Sequence, residues 1–289
     1  MRKVKIITDS ASDLPEQFYK DYDISMLAMG VVFEDKTYLD RVQIDSKTFF
    51  KLMKENQDSL PKTSMPSVAS IKEEFMRNLD NFEHQIFVSI SSKGSGTYNI
   101  ANIVKAEIEE EIGKKSNITV VDSYSYSAGY SMAVAAMAKV AFEGGSFDEV
   151  MKTYNDIRQS TKVDIVLDDL KHLQRGGRIK PGAALVGSML GIKPLLTIND
   201  GLLENYGKER GKRRAIDKIV GKMLSSIDDP SKTRVWLVHA DAKEDVEVLK
   251  DIICAKITPL ELVICELGAC IGVHTGGGLV GVVYSEGAK

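Results

Sequence analysis

At 289 residues the chain is long enough for two ordinary domains of about 150 residues each. Its 43% hydrophobic and 27% charged residues are those of a globular protein, and 23 glycines with 7 prolines exclude collagen-like and low-complexity chains. A net charge of −3 offers no electrostatic case for nucleic acid as the main partner.

The N-terminus opens with Arg2, Lys3 and Lys5, and Lys5 and Asp9 break its apolar run, so it does not read as a signal peptide. Strand-like runs rich in Val, Ile and Phe follow at 4–8, 24–33, 85–90, 118–121, 163–167, 234–239 and 261–265. Between them, Val68, Ile71, Phe75 and Leu79 sit at helical spacing, as do Ile100, Val104, Ile108 and Ile112. Ser146 and Glu149 form a capping box that predicts a helix over 147–159. Asp200-Gly201 predicts a hairpin turn between strands at 195–198 and 202–205. Strands alternating with helices imply an α/β fold. The expected division is an N-terminal, mostly parallel α/β domain over 1–160 and a C-terminal mixed α+β domain over 161–289.

Residues 267–285 form the longest uncharged window, long enough by count to span a membrane. Six glycines and His274 make it read as glycine-rich turns around strands instead. No membrane insertion is expected, and a cytoplasmic location is. The three cysteines, Cys254, Cys265 and Cys270, are too few and odd in number for a disulfide framework. Cys265, Cys270 and His274 lack a fourth ligand, so no metal site is expected.

Four loops are rich in small hydroxyl residues or glycine. Ligands of open α/β sheets bind outside the carboxyl ends of strands, which makes such loops candidates. Thr8–Pro15 ends a strand and opens a helix, with Asp13 or Ser12 as cap and Pro15 in the first turn. In Lys62-Thr63-Ser64-Met65-Pro66-Ser67, Ser67 can cap the next helix, but Thr63 and Ser64 lie in an extended stretch that capping does not explain. Ser91-Ser92-Lys93-Gly94-Ser95-Gly96-Thr97-Tyr98 joins a strand to a helix N-terminus, which suits a carboxylate or phosphate. It lacks the Gly-Lys-Ser/Thr order of a phosphate-binding loop and the spacing of a nucleophile elbow. Gly272-Val273-His274-Thr275-Gly276-Gly277-Gly278 permits close backbone approach beside one histidine. Two basic features remain: Arg178 after the pair Gly176-Gly177, which should project outward, and the dense run 208–214 containing Arg210.

The ordered set Thr8-Asp9-Ser10 with Asp13-Leu14-Pro15, Thr63-Ser64-x-Pro66, Ser91-Ser92-x-x-Ser95-Gly96-Thr97-Tyr98, Gly176-Gly177-Arg178-Ile179, Gly191-Ile192-Lys193-Pro194 and His274-Thr275-Gly resembles the DegV family of bacterial fatty-acid-binding proteins. The resemblance implies a two-domain fold with an acyl chain in a tunnel between or beside the domains. It implies a non-catalytic carrier of a long-chain fatty acid such as palmitate, with no cofactor, acting as the acyl-carrying subunit of a fatty acid kinase. By the same resemblance Thr63 and Ser95 would hold the carboxylate, with Ser64, Gly96, Thr97 and His274 in the same polar network. Arg178 and Arg210 would face the kinase subunit. Two positions depart from the family pattern, Gly94 where leucine is usual and Gly277 where proline is usual, and both should loosen loops near the head group. The residues leave two other readings open: a serine hydrolase with Ser95 as nucleophile and His274 as base, and a binder of phosphate ligands or nucleotides using 94–97 and the basic run 208–214.

Overall fold

The computed structural model describes residues 2–56, 59–179 and 191–286. In chain order, β1 (Arg2–Asp9) leads through a 3-10 turn to α1 (Glu16–Asp21), β2 (Ser25–Leu27), β3 (Gly30–Phe33) and β4 (Lys36–Leu39). Then come α2 (Ser46–Glu55), β5 (Lys62–Ser64), α3 (Val68–Asn78), β6 (Phe82–Ser89), α4 (Thr97–Ile112), β7 (Ile118–Asp122), α5 (Ala128–Phe142) and α6 (Phe147–Ser160). The remainder is β8 (Lys162–Val166), α7 (Lys171–Gly176), β9 (Ile192–Asn199), β10 (Leu202–Arg210), α8 (Lys212–Leu224), β11 (Thr233–His239), α9 (Lys243–Cys254), β12 (Glu261–Glu266), α10 (Ala269–Thr275) and β13 (Val280–Glu286).

Three sheets result. Strands β2-β1-β6-β7 form a wholly parallel sheet, β4-β3-β5 a small antiparallel one, and β10-β9-β8-β13-β11-β12 a six-stranded mixed one. Every described strand up to Asp122 lies in the first two sheets, and every one from Lys162 onward in the third. The fold class read from the sequence is therefore the observed one.

The layering follows from which faces are apolar. Ile71 and Phe75 of α3 and Ala101, Val104 and Ile108 of α4 pack with Ile7 and Phe87 on one face of the parallel sheet. On the outer face of the mixed sheet, α8 and α9 cover Val166, Leu195, Val235, Leu237, Val280 and Val282. Between the two sheets lies α5, which contacts β1 on one side and β11 on the other, with α6 packed against α5 and β13. One continuous core runs through this middle layer and includes Trp236, the only tryptophan, which is fully buried.

Local signals decide several elements. Ser146 and Glu149 make both bonds of the capping box at the start of α6. Ser67 caps α3 by accepting from the Ser70 amide. Asp200 at φ 49° and Gly201 at φ 73° form the tight turn joining antiparallel β9 and β10, since such a hairpin needs positive φ at both central residues.

Other expectations are corrected. The run 24–33 is two strands in different sheets, because the chain leaves the parallel sheet after Leu27. Neither Ser12 nor Asp13 caps α1; Pro15 takes the N-cap position, while Asp13 turns at φ 51° and sends its carboxylate elsewhere. The glycine-rich stretch after 267 contains a helix, α10, as well as β13. The basic run 208–214 spans the end of β10 and the start of α8.

Candidate functional site

A cavity of about 440 Å³ lies between the mixed sheet and the N-terminal half. This falls within the usual small-molecule range of about 300–1,000 Å³. Its floor comes from strand register. Leu203 pairs with Ile198, Val163 pairs with Val283, and β8 meets β9 at Asp164 and Thr197, one residue along. Because side chains alternate across a sheet, Leu203, Ile198, Val163 and Val283 form an apolar row on one face of four neighbouring strands. At ~4.8 Å per strand the row is about 14 Å long. Ile165 and Val238 widen it, and Met29, Ile90 and Leu267 close the opposite side.

Polar side chains in the lining include Thr63, Ser64, Ser95, Arg178 and His274, and also Tyr126, Ser127 and Thr275. Strand β5 places Thr63 beside α10, and Thr63 Oγ1 lies 3.0 Å from His274 Nε2. Burial holds the His274 pKa down to about 4, with the positive charges of Arg178 and His172 adding to the effect. The imidazole is therefore neutral at pH 7. Its Nδ1 is buried without a hydrogen-bond partner. Gly176 at the end of α7 makes room for it, since a Cβ there would come within 2.5 Å of Nδ1.

Helix α10 carries Cys270, Ile271, His274 and Thr275 into the cavity, and its start is fixed by two buried carboxylates. Asp13 Oδ1 accepts from the Gly268 amide at 2.7 Å, and Asp40 Oδ1 accepts from the Ala269 amide at 2.9 Å. Arg41 donates to Asp13 Oδ1 at 2.8 Å and to the Glu266 carbonyl at 2.7 Å. Asp13, Asp40 and Arg41 all crowd the Gly268 Cα, where a Cβ would sit 3.0–3.1 Å from each. Burial raises the pKa of Asp13 and lifts that of Asp40 to about 6, while the Arg41 guanidinium opposes both shifts. Nearby, Asp9 accepts from Tyr130 Oη at 2.6 Å and from the Ile90 amide at 2.8 Å, and burial raises its pKa to about 7. Asp9 and Asp13 belong to a singled-out loop. Asp40 and Arg41 carry no sequence signal and were missed.

The structure sorts the remaining site residues. Ser95 lines the cavity, and its Oγ lies 2.9 Å from Thr97 Oγ1. Gly96 lines it too and makes room for Met65, whose sulfur would lie 2.6 Å from a Cβ there. Ser64 faces Gly30 of β3, where a Cβ would come within 2.1 Å of its hydroxyl. Thr97 is not part of the lining. As the first residue of α4 it is fully buried, and it braces Ser95 while contacting Met29 Sδ at 3.6 Å. Arg178 does not project outward. Its Nε donates to the Gly94 carbonyl at 3.3 Å and its Nη1 to the Gly176 carbonyl, because the chain reverses at Gly177 with φ 67°. Arg210 is exposed at the end of β10.

The two departures from the family pattern do not act alike. At Gly94 the space a side chain would fill is taken by Tyr126, whose ring would lie 2.6 Å from a Cβ, so the loop there is packed rather than loose. At Gly277 the nearest atoms to a Cβ lie at 3.8 Å, which leaves ordinary room.

Ser95 and His274 are not bonded to each other. Ser95 is engaged with Thr97, His274 with Thr63, and no carboxylate orients Nδ1. This is not the nucleophile, base and acid relay of a serine hydrolase. Among the described residues no group of three His, Cys, Asp or Glu is placed to hold a metal ion, and no helix is long and apolar enough to cross a membrane.

A family model described as "Uncharacterised protein, DegV family" matches residues 3–287. The chain belongs to the DegV family. A DegV domain-containing protein of Caldanaerobacter subterraneus is 32% identical over 99% of this chain and 100% of its own length. Among solved structures, a DegV lipid-binding protein of Thermotoga maritima superposes with a TM-score of 0.86 at 29% identity, covering 99% of this chain and 100% of the other. A DegV family protein of Thermus thermophilus, described by its fatty acid binding, gives a TM-score of 0.88 at 27% identity, covering 98% and 99%.

Proposed function

We propose that this DegV protein binds a long-chain fatty acid such as palmitate, with the acyl chain in the cavity and the carboxylate at Thr63, Ser95 and His274. The observation that carries this is the make-up of the cavity. Its lining is mostly apolar, its polar groups are hydroxyls, one thiol, a neutral imidazole and a guanidinium, among them the cluster at Thr63 and His274, and it contains no carboxylate. A buried carboxylate needs hydrogen bonds or an opposite charge, and those groups offer both. Burial contributes about 0.8 kcal/mol per methylene, so a dozen methylenes give roughly 10 kcal/mol gross, against about 8 kcal/mol for a micromolar complex. The chain supplies affinity and the cluster supplies selection for an acid. The descriptions of the Thermotoga and Thermus relatives support the same reading.

On this reading the protein is a carrier, and it presents the carboxyl group to a kinase subunit for acyl-phosphate formation. The described cysteines are free thiols, which suits the reducing cytoplasm. The test is mass spectrometry of an organic extract of the purified protein, followed by titration of the stripped protein with palmitate. One acyl chain per protein, restored on titration, is the expected result. A protein that neither carries nor takes up a long-chain acid overturns the reading.

A further inference from the structure

The apolar cavity does not end at Thr63 and His274. Thr63, Arg178 and His274 also line a second cavity of about 410 Å³, with Lys62, His172 and Arg175 among its other residues. Lys62 and Arg175 are exposed, so this space is a vestibule between the head-group position and solvent. By volume it is a small-molecule site in its own right, larger than a lone carboxylate or phosphate group fills.

Its charge is one-sided. No carboxylate is among its described lining residues. Neither Lys62 nor Arg175 makes an ion pair among the described residues, and Arg178 donates to the neutral carbonyls of Gly94 and Gly176. The adjoining surface pocket, which shares His172 and Arg175, is built differently: there Asp169 lies 3.9 Å from Lys171 and Asp241 lies 2.5 Å from Lys54. Fixed charges of one sign facing a cleft raise the local concentration of the opposite ion. A fatty acid carboxylate at Thr63 and Ser95 brings one negative charge, beside Arg178, and leaves Lys62 and Arg175 unmatched.

We propose that the vestibule binds the phosphate of a single-chain phospholipid, so that monoacylglycerol phosphates are ligands of this protein besides free fatty acids. The proposal rests on the fatty-acid reading above for the place of the acyl chain and adds a second head-group class. The ester carbonyl accepts from the Thr63 or Ser95 hydroxyl, the glycerol crosses the vestibule, and the phosphate meets Lys62 and Arg175. A phosphate monoester carries a charge of about −1.5 to −2 at pH 7, which matches two cations. A guanidinium can hold it through two parallel hydrogen bonds. Lys62 and Arg175 line the vestibule but not the apolar cavity, so a phosphate reaches them when a linker carries it beyond the carbonyl. A phosphate joined directly to the carbonyl stays beside Arg178 instead.

The experiment titrates ligand-stripped protein by calorimetry with monomeric palmitic acid, 1-palmitoylglycerol and 1-palmitoylglycerol 3-phosphate. The phosphate ester should bind roughly tenfold more tightly than the neutral monoacylglycerol, and added salt should narrow that gap. The double variant Lys62→Ala, Arg175→Ala should erase the gap and leave palmitic acid affinity unchanged. A wild type that binds palmitic acid but not the phosphate ester overturns the proposal and leaves the fatty-acid reading standing. So does an ester affinity that the double variant does not change. Inorganic phosphate taken up by the palmitate-loaded protein, with the ester refused, makes free phosphate the occupant and overturns the lipid assignment. A wild type that binds neither palmitic acid nor the ester overturns both readings.

Discussion

Thr63 Oγ1 and His274 Nε2 meet at 3.0 Å although 211 residues separate them in the chain. The contact ties a three-residue strand of the small sheet to α10, the helix between strands β12 and β13 of the mixed sheet. Both residues line the mostly apolar cavity. A carboxylate arriving here finds a hydroxyl already oriented by a neutral imidazole. Thr63→Ala and Ser95→Ala should therefore each weaken fatty acid binding. A hydrogen bond to a charged group contributes about 1.5–3 kcal/mol, or roughly 10- to 150-fold in affinity. The two losses should not add, because both groups would serve one carboxylate. Calorimetric titration of the single and double variants checks this, and unchanged affinity in the folded double variant places the head group elsewhere.

The two arginines should now behave differently. Arg178 links the Gly94 carbonyl to the end of α7, so Arg178→Ala should lower both the melting temperature and the fatty acid content. Arg210 is exposed, so Arg210→Ala should leave both unchanged and impair only acyl-phosphate formation with a kinase subunit. Lipid content, thermal melting and a reconstituted phosphorylation assay read these effects separately. Full phosphorylation with the Arg210 variant removes its contact role.

Asp13→Ala should be among the most damaging single changes outside the cavity. It leaves the half-buried Arg41 without its ion pair and the Gly268 amide without its acceptor. Breaking a buried pair from one side costs about 3–5 kcal/mol. Denaturant unfolding should show that loss, together with reduced lipid content, because α10 carries His274. A loss below about 1 kcal/mol would be that of an ordinary surface ion pair and would contradict the bracing role.

The pH dependence of stability should contain two opposed contributions. The His274 pKa is about 4 in the fold against 6.5 when free. As pH falls through that window the unfolded chain takes up a proton that the folded chain refuses, so stability falls toward acid. Asp9 titrates near 7 in the fold and Asp40 near 6, against 3.8 when free. Between about pH 4 and 7 these two keep protons that the unfolded chain has released, so their contribution falls as pH rises. His274→Gln should remove the loss toward acid, and Asp9→Asn should remove part of the loss toward neutral pH. Denaturant midpoints measured across that range should shift with opposite slopes in the two variants, and parallel profiles would refute the assignment.

The elements legible in the sequence were those fixed by local chemistry. Ser146 with Glu149 and Asp200 with Gly201 each state their geometry within a few residues. The helix α5 was not legible. Ten of its fifteen residues are buried, so it shows no amphipathic period to read. The strand β5 is three residues long and exists because β3 pairs with it. At the site, Thr63, Ser95 and His274 were reached through the family resemblance, and the structure brings all three to the cavity lining. The apolar row and the Asp13, Asp40 and Arg41 brace were not legible, because the row depends on the register of strands as far apart as Val163 and Val283, and the brace on contacts across more than two hundred residues.

The apolar row of Leu203, Val163 and Val283 belongs to the same continuous core that joins the two sheets. An acyl chain lying on that row would pack into this core, and the unfolded chain has no such surface to offer. Folding and lipid supply then become linked quantities. Each tenfold rise in free fatty acid above the dissociation constant adds about 1.4 kcal/mol to the stability of the fold. The melting temperature of this protein would act as a gauge of the lipid around it.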